Sequence, residues 1–288
     1  MPESKPALSI ILPANNEAQA LPGVLEELKT RFPDAELIVV DDGSTDATAE
    51  LAAAAGARVI RHPYPTGNGA AIKSGARAAR GETLLFMDAD GQHRAGDAQR
   101  LINTLSEGYD MVVGARDAVS QASLGRKLAN GFYNRLASWI VGHRIADLTS
   151  GFRAARAARF REFLYLLPNG FSYPTTITMA FFRAGYHVAY APITAHPRLG
   201  RSHIQPFRDG LRFLLIIFRI GTLYSPLKVF LPFSLAFFLT GLGYYLYKLF
   251  TVHRFTNMSA LLFIAAILIF LIGLVSEQIT NLLYRPPT

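Results

Sequence analysis

Apolar residues come in short runs at regular intervals over the first two thirds of the chain, and each run ends in turn residues. The runs at residues 8–12, 36–40, 57–61 and 83–87 read as buried strands, while residues 21–32, 47–55 and 69–79 between them carry apolar positions at helical spacing. This alternation predicts a parallel βαβ sheet. A helix near 98–107, a strand at 111–113, a longer helix over 124–141 and a last strand at 187–191 complete the series. The pattern then changes. Arg208, Arg212 and Arg219 share one narrow arc at the helical repeat, and Phe207, Leu211 and Phe213 to Phe218 fill the rest, which predicts an interfacial helix lying flat on a membrane. Residues 229–246 and 258–275 carry no charge, and each approaches the ~20 residues that cross a bilayer. They predict a transmembrane hairpin with spans at about 228–249 and 258–279. A pair of buried soluble helices is the weaker reading, because a small domain rarely hides two stretches that are apolar on every side. The expected organisation is a globular α/β domain over 1–205, an interfacial helix and linker over 206–226, and a hairpin over 227–288.

Charge sharpens this division within the 288 residues. Residues 1–110 carry 10 Lys/Arg against 16 Asp/Glu, residues 111–205 carry 12 against 3, and the remainder 7 against 2, so an acidic part precedes a basic part that leads into the hairpin. Such a basic region suits an anionic lipid better than a nucleic acid, and no nucleic-acid partner is expected. Cysteine is absent, which removes disulfides, thiolate catalysis and Cys-ligated zinc. The chain starts with Met1-Pro2-Glu3-Ser4-Lys5-Pro6 and runs directly into a strand, so the globular part is expected to stay on the side of synthesis, the cytoplasm.

Two acidic clusters, each at the exit of an apolar run, carry the chemistry: Asp41-Asp42-Gly43-Ser44-Thr45-Asp46 and Asp88-Ala89-Asp90-Gly91-Gln92-His93. Ligands of α/β sheets gather beyond the carboxyl ends of strands, so these carboxylates are expected to converge. Crowded carboxylates repel unless a divalent cation sits among them, and Mg²⁺ or Mn²⁺ takes oxygen ligands together with substrate phosphates. Each Asp alone could cap a turn or helix, as Asp46 could before Ala47-Thr48-Ala49-Glu50, but two clusters argue for a metal-bound diphosphate. The segment Gly67-Asn68-Gly69-Ala70-Ala71-Ile72-Lys73 lacks the Gly-Lys-Ser/Thr of a Walker motif and does not point to an ATPase.

With Leu12-Pro13-Ala14-Asn15-Asn16-Glu17 added to these clusters, the chain resembles glycosyltransferase family 2 of the GT-A fold, and within it the dolichyl- or polyprenyl-phosphate sugar synthases, over nearly its whole length. The resemblance implies that Pro13, Asn15, Glu17, Asp41, Asp42 and Ala89 bind the nucleotide sugar, with Asn15 standing where the family often has an aromatic residue. It implies that Asp88, Asp90 and Gln92 hold the metal and that Arg116 contacts the diphosphate. Arg126 and Asn130, one helical turn apart, match positions that grip the lipid phosphate. Asp147-Leu148-Thr149-Ser150-Gly151-Phe152-Arg153 resembles the segment beside the acceptor, which places Asp147 and Arg153 there. Arg198-Leu199-Gly200-Arg201-Ser202-His203 resembles a loop that closes over the donor, with Arg198 on the nucleotide sugar and Ser202 and His203 near the lipid phosphate; His203 replaces the usual lysine.

A lipid monophosphate with a second pKa near 6 is already largely dianionic at neutral pH and needs little help from a general base. The catalytic set is therefore expected to be Asp88, Asp90, Arg116, Arg126 and Arg153, holding two anions together for a single inverting displacement. The expected reaction is hexose transfer from UDP-glucose or GDP-mannose to undecaprenyl or dolichyl phosphate at the cytoplasmic membrane face, and a homo-oligomer is compatible with the sequence. A polysaccharide or glycolipid synthase of the same family is the second reading, weakened by the missing Q-x-x-R-W element: the sole Trp139 stands in Leu136-Ala137-Ser138-Trp139-Ile140. A non-catalytic nucleotide-sugar-binding membrane scaffold is the third, and the intact acidic set argues against it.

Overall fold

A computed structural model describes residues 6–116, 124–170, 172–194, 218, 221, 222 and 224–283, without the side chains of 124–130 and 283. The order of elements is β1 (Leu8–Ala14), α1 (Leu21–Arg31), β2 (Glu36–Asp41), α2 (Thr48–Ala54), β3 (Arg58–Arg61), α3 (Asn68–Ala78), β4 (Thr83–Phe86), α4 (Ala95–Ser106), β5 (Met111–Arg116), α5 (Leu124–Val141), β6 (Arg153–Arg156), α6 (Ala157–Arg161), α7 (Tyr173–Arg183), β7 (Val188–Ile193), α8 (Pro226–Val252) and α9 (Asn257–Leu283). Two compact units emerge: residues 1–135 with 143–206, and residues 136–142 with 207–288. The end of α5 thus belongs to the second unit, where Lys228 Nζ donates to Ile140 O at 3.1 Å.

In the first unit the seven strands lie in the order β3-β2-β1-β4-β6-β5-β7. The four strands expected from the apolar runs are parallel, each adjacent pair in continuous register, such as Ile10 opposite Leu37 and Leu85. The sheet departs from the all-parallel expectation at β6, which runs antiparallel between β4 and β5 with Arg153 opposite both Phe86 and Val113. Its sequence, Arg153-Ala154-Ala155-Arg156, carries no branched or aromatic run, so nothing local marks it as a strand. It is a strand because it fills the gap between two apolar neighbours.

Both faces of the sheet are covered. Ile10, Leu12, Val39 and Leu85 point to the side of α1 and α4, where they pack on Leu21, Leu25, Leu28 and Leu101. Their neighbours Ile11, Ile38, Val40 and Phe86 point to the other side, against Ile72 of α3, Phe160 of α6 and Ile177 and Phe181 of α7. A sheet buried on both faces explains why its strands read as continuous apolar runs.

In the second unit α8 and α9 are each long and apolar enough to cross a bilayer. The pattern is the reverse of a soluble core: Phe233, Leu239, Leu261, Ile267 and Ile272 are exposed, whereas Ser234 and Ser259 are buried. Ser234 Oγ donates to Ala266 O at 2.8 Å. A Cβ on Gly273 would lie 2.8 Å from Phe230 Cβ, so the backbones approach closely, as small residues permit between membrane helices. Glu277 accepts the Leu227 N–H at 3.2 Å, satisfying one of the donors left free at the start of α8. The interfacial helix expected over 206–226 lies, apart from residues 218, 221, 222 and 224–226, outside the described residues.

Candidate active site

The strand order defines where a ligand would sit. From β1 the chain moves outward to β2 and β3, then returns to the opposite side of β1 as β4, which makes the carboxyl ends of β1 and β4 the switch point of the sheet. Beyond β1 lies the turn Asn15-Asn16-Glu17, and beyond β4 lies Asp88-Ala89-Asp90. Along this edge, from β3 to β5, follow the loop 62–67, the turn 41–44, the turn 15–17, the acidic turn 88–93, the segment 147–152 and Arg116.

The turns after β1 and β2 are laced together. Asn15 Nδ2 donates to Asp42 O at 2.7 Å, Asn16 N to Ser44 Oγ at 2.9 Å, Thr45 N to Asn16 Oδ1 at 2.9 Å and Glu17 N to Thr48 Oγ1 at 2.9 Å. Asn16 adopts a left-handed φ of 57°, a conformation Asn tolerates well. The two aspartates expected on the nucleotide are turned inward. Asp41 is fully buried, accepting Ser44 N at 3.0 Å and Arg61 Nε at 3.2 Å. Asp42 accepts Thr66 N at 2.8 Å, Thr66 Oγ1 at 2.7 Å and Gly67 N at 2.7 Å, and it meets His62 Nδ1 at 2.7 Å. Burial would raise its pKa, but these hydrogen bonds outweigh it and hold the carboxyl below its usual value. Both side chains therefore build the floor of the site; Pro13 and Ala89 are buried as well, and Asn15 is exposed.

Asp88 is half-buried and Asp90 nearly buried, with Gln92 N donating to Asp90 Oδ1 at 3.1 Å. Among the described residues no three His, Asp or Glu side chains gather into a self-sufficient metal cage. Two carboxylates and a Gln carbonyl oxygen are all hard donors, and a Mg²⁺-like cation is commonly held by one or two carboxylates with substrate phosphates filling its other positions. The donor set fits such a cation. Room is kept on the far side by Gly151, where a Cβ would stand 3.3 Å from the Tyr173 hydroxyl and 3.6 Å from Asp88 Oδ2.

Arg116, at the end of β5, forms a bidentate pair with Asp147: Nε to Oδ2 at 2.8 Å and Nη2 to Oδ1 at 3.0 Å, with Nη2 also donating to Thr149 Oγ1 at 2.6 Å. Asp147 Oδ1 further accepts Thr149 N at 3.0 Å and Ser150 N at 3.1 Å. Burial opposes both charges, yet their pairing prevails: Asp147 titrates below the usual carboxylate range and Arg116 above its own. Asp88 contributes to the latter, so Arg116 lies within the field of the acidic turn.

Two residues expected at the acceptor phosphate face inward in this structure. Asp147 is 5% exposed and directs its oxygens to Arg116 and its own turn, and a carboxylate would repel a phosphate. Arg153 is fully buried; Nη1 donates to Pro174 O and Thr178 Oγ1, each at 3.2 Å, and Nη2 donates to Ser150 O. Fully enclosed, with both Nη groups on interior acceptors, this guanidinium fixes the loop that carries Ser150 and Gly151. Arg126 and Asn130 lie on the backbone of α5, with side chains outside the described residues, as do Arg198, Ser202 and His203 entirely.

One site residue carried no role in the sequence. His93 is 7% exposed and stacks on Phe152 with ring centroids 4.5 Å apart and planes 12° from parallel. Burial pushes its pKa down to about 4, against the opposing pull of Asp90. The stack ties the acidic turn to the segment beside Arg116. Only the contact reveals it, since the two rings come from separate elements.

An α/β sheet with acidic turns at its switch point, joined to an apolar hairpin, defines a GT-A glycosyltransferase fold with candidate membrane spans. The chain belongs to glycosyl transferase family 2: the family model matches residues 9–179, and the model of the GtrB C-terminal hairpin matches residues 225–282. It is 31% identical to glycosyltransferase AglJ of Haloferax volcanii over 96% of this chain and 94% of that protein. A dolichyl-phosphate hexose transferase of the same organism is 29% identical over 70% of this chain and 89% of its own length. The undecaprenyl-phosphate 4-deoxy-4-formamido-L-arabinose transferase of Photorhabdus laumondii is 34% identical over 52% of this chain and 49% of its own length. Among solved structures, glucosyl-3-phosphoglycerate synthase from Mycobacterium tuberculosis in complex with Mn²⁺, uridine diphosphate and phosphoglyceric acid superposes with a TM-score of 0.60, at 23% identity, over 75% of this chain and 78% of that one. That likeness establishes the shared fold.

Proposed function

We propose that the protein transfers a hexose, with inversion, from a nucleotide diphosphate sugar such as UDP-glucose or GDP-mannose to undecaprenyl or dolichyl phosphate at the cytoplasmic face of a membrane. The observation that carries this reading is the meeting, at one edge of the sheet, of the Asn15–Glu17 turn, the Asp88/Asp90 pair and Arg116 in a chain that continues into a membrane-compatible hairpin. Relatives named for dolichyl- and undecaprenyl-phosphate transfer support the acceptor class. Catalytic residues 1–205, interfacial residues 206–226 and hairpin residues 227–288 make up the proposed organisation.

In this reading the turns after β1 and β2 bind the nucleoside, and Asp88, Asp90 and Gln92 would hold Mg²⁺ or Mn²⁺. Bound there, the cation would offset charge on the departing diphosphate. Arg116, kept charged and oriented by Asp147, supplies a second positive group at the same phosphates. Arg126 and Asn130 hold the acceptor phosphate, and Arg198, Ser202 and His203 belong to the loop closing over the substrates. A phosphate oxygen of the acceptor bonds to the anomeric carbon as the bond from that carbon to the diphosphate oxygen breaks, and the nucleoside diphosphate leaves with the electron pair. No general base is needed, and buried His93, whose pKa lies near 4, is not one.

The test uses purified full-length protein in detergent with Mn²⁺, each donor in turn, and undecaprenyl phosphate. A β-linked lipid-phosphate sugar from an α-linked donor is expected, and Asp90→Asn should abolish it. Glycosylation of a sugar or protein hydroxyl without any lipid-phosphate product would overturn the reading.

A further inference from the structure

The turn after β1 offers no aromatic ring, and its exposed Asn15 is occupied in tying that turn to Asp42. An exposed ring stands two strands away on the same edge. Tyr64 lies in the loop 62–67 that leaves β3, and it is 65% exposed. Among the described residues its ring has no hydrogen bond, ion pair or ring contact.

This loop is held from several directions. His62 N donates to Asp41 O at 2.9 Å, and the Asp42 carboxylate takes up Thr66 N, Thr66 Oγ1 and Gly67 N. Pro63 and Pro65 flank Tyr64 and restrict the backbone on either side of it. The loop also lies directly on the turn after β2: a Cβ on Gly43 would fall 2.7 Å from Tyr64 C and from Pro65 N. The Asp42 carboxylate and the Asp41 backbone carbonyl thus hold the loop that presents an exposed phenol on this edge.

The layout of the edge gives the ring a use. Asp88 and Asp90 follow β4, and the side beyond them is taken by the segment 147–152 and Arg116. A nucleoside attached to a diphosphate at β4 therefore extends the other way, over β1 toward β2 and β3. With strands about 4.8 Å apart, β3 lies roughly 14 Å from β4. We infer that Tyr64 is the stacking platform for the nucleobase of the donor, a role that rests on the donor reading proposed above. Because the loop backbone is already held, little further chain ordering is needed on binding, and stacking accepts either uracil or guanine because every base has a π-face.

Calorimetry on the full-length protein in detergent with Mn²⁺ tests this, with UDP, GDP and inorganic pyrophosphate as probes. Tyr64→Ala should weaken whichever nucleotide the wild type binds by about 5- to 100-fold, the cost of losing one base–aromatic stack. Tyr64→Phe and Tyr64→Trp should bind it nearly as the wild type does, and pyrophosphate, which has no base, should bind all four proteins alike. In turnover the loss should fall on the donor KM with kcat retained. Equal nucleotide affinity in Tyr64→Ala, or equal loss for nucleotide and pyrophosphate, overturns the inference while leaving the donor reading intact. A wild type that binds neither nucleotide overturns the donor reading and the inference with it.

Discussion

Replacing Asp147 by Asn keeps the shape of a nearly buried side chain and removes its charge. In the wild type its two oxygens take Arg116 Nε, Arg116 Nη2, Thr149 N and Ser150 N at 2.8 to 3.1 Å. An Asn has one acceptor oxygen for these four donors and turns an NH₂ group toward the rest. Breaking one side of a buried pair costs about 3–5 kcal/mol, but the Arg116 side chain is 31% exposed and water compensates part of the loss. The expected cost is about 2–3 kcal/mol, which for a unit of this size lowers Tm by roughly 5–10 °C. Thermal unfolding followed by circular dichroism in detergent at pH 7 measures it. A double-mutant cycle with Arg116→Gln isolates the pairwise term, expected to be about 1–2 kcal/mol. The pH dependence provides a check of sign. The folded pKa of Asp147 is depressed, so its contribution is fully present above the unfolded value of about 3.9 and fades as pH falls through the lower folded value. The gap between wild type and Asp147→Asn should therefore close in acid. An unchanged Tm at pH 7 together with a coupling near zero would refute the argument that Asp147 acts by holding Arg116.

Burial places His93 near pKa 4, against about 6.5 when unfolded, so between those values the unfolded chain binds a proton that the folded one refuses. Stability should fall as pH drops through this window, by up to about 3 kcal/mol, and His93→Phe, measured in EDTA, should flatten that slope. At Gly69 an added Cβ would meet Pro168 O at 2.1 Å and Gly170 O at 2.8 Å, both backbone atoms. Gly69→Ala should fail to give monodisperse protein on size-exclusion chromatography. Gly96→Ala, where nothing lies within 4 Å, should leave the elution unchanged and raise stability by up to about 1 kcal/mol.

Much of the site was legible locally. An Asp at the exit of an apolar run lies at the carboxyl end of a strand, and so Asp41, Asp42, Asp88 and Asp90 fall on one edge once the strands are parallel. Their division of labour was not legible. Asp41 and Asp42 differ from Asp88 in what surrounds them: Arg61, His62, Thr66 and Gly67 arrive from the far end of β3 and take up the oxygens of the first pair. Arg153 presents the same difficulty. In sequence it is a cation beside a glycine; in the fold it is wholly enclosed, because β6 inserts between β4 and β5 and carries it under α7.

The residue pattern alone determined the βαβ core, the acidic turns and the apolar hairpin, since strand and helix periodicity, turn residues and uncharged length are local properties that need no partner. Tertiary structure alone decided the antiparallel β6, the inward turn of Asp42, Asp147 and Arg153, the His93–Phe152 stack and the exposed ring of Tyr64. Each of these depends on which distant segment the sheet order brings alongside, and whether a charged group faces a ligand or the interior is settled by the donors already standing there.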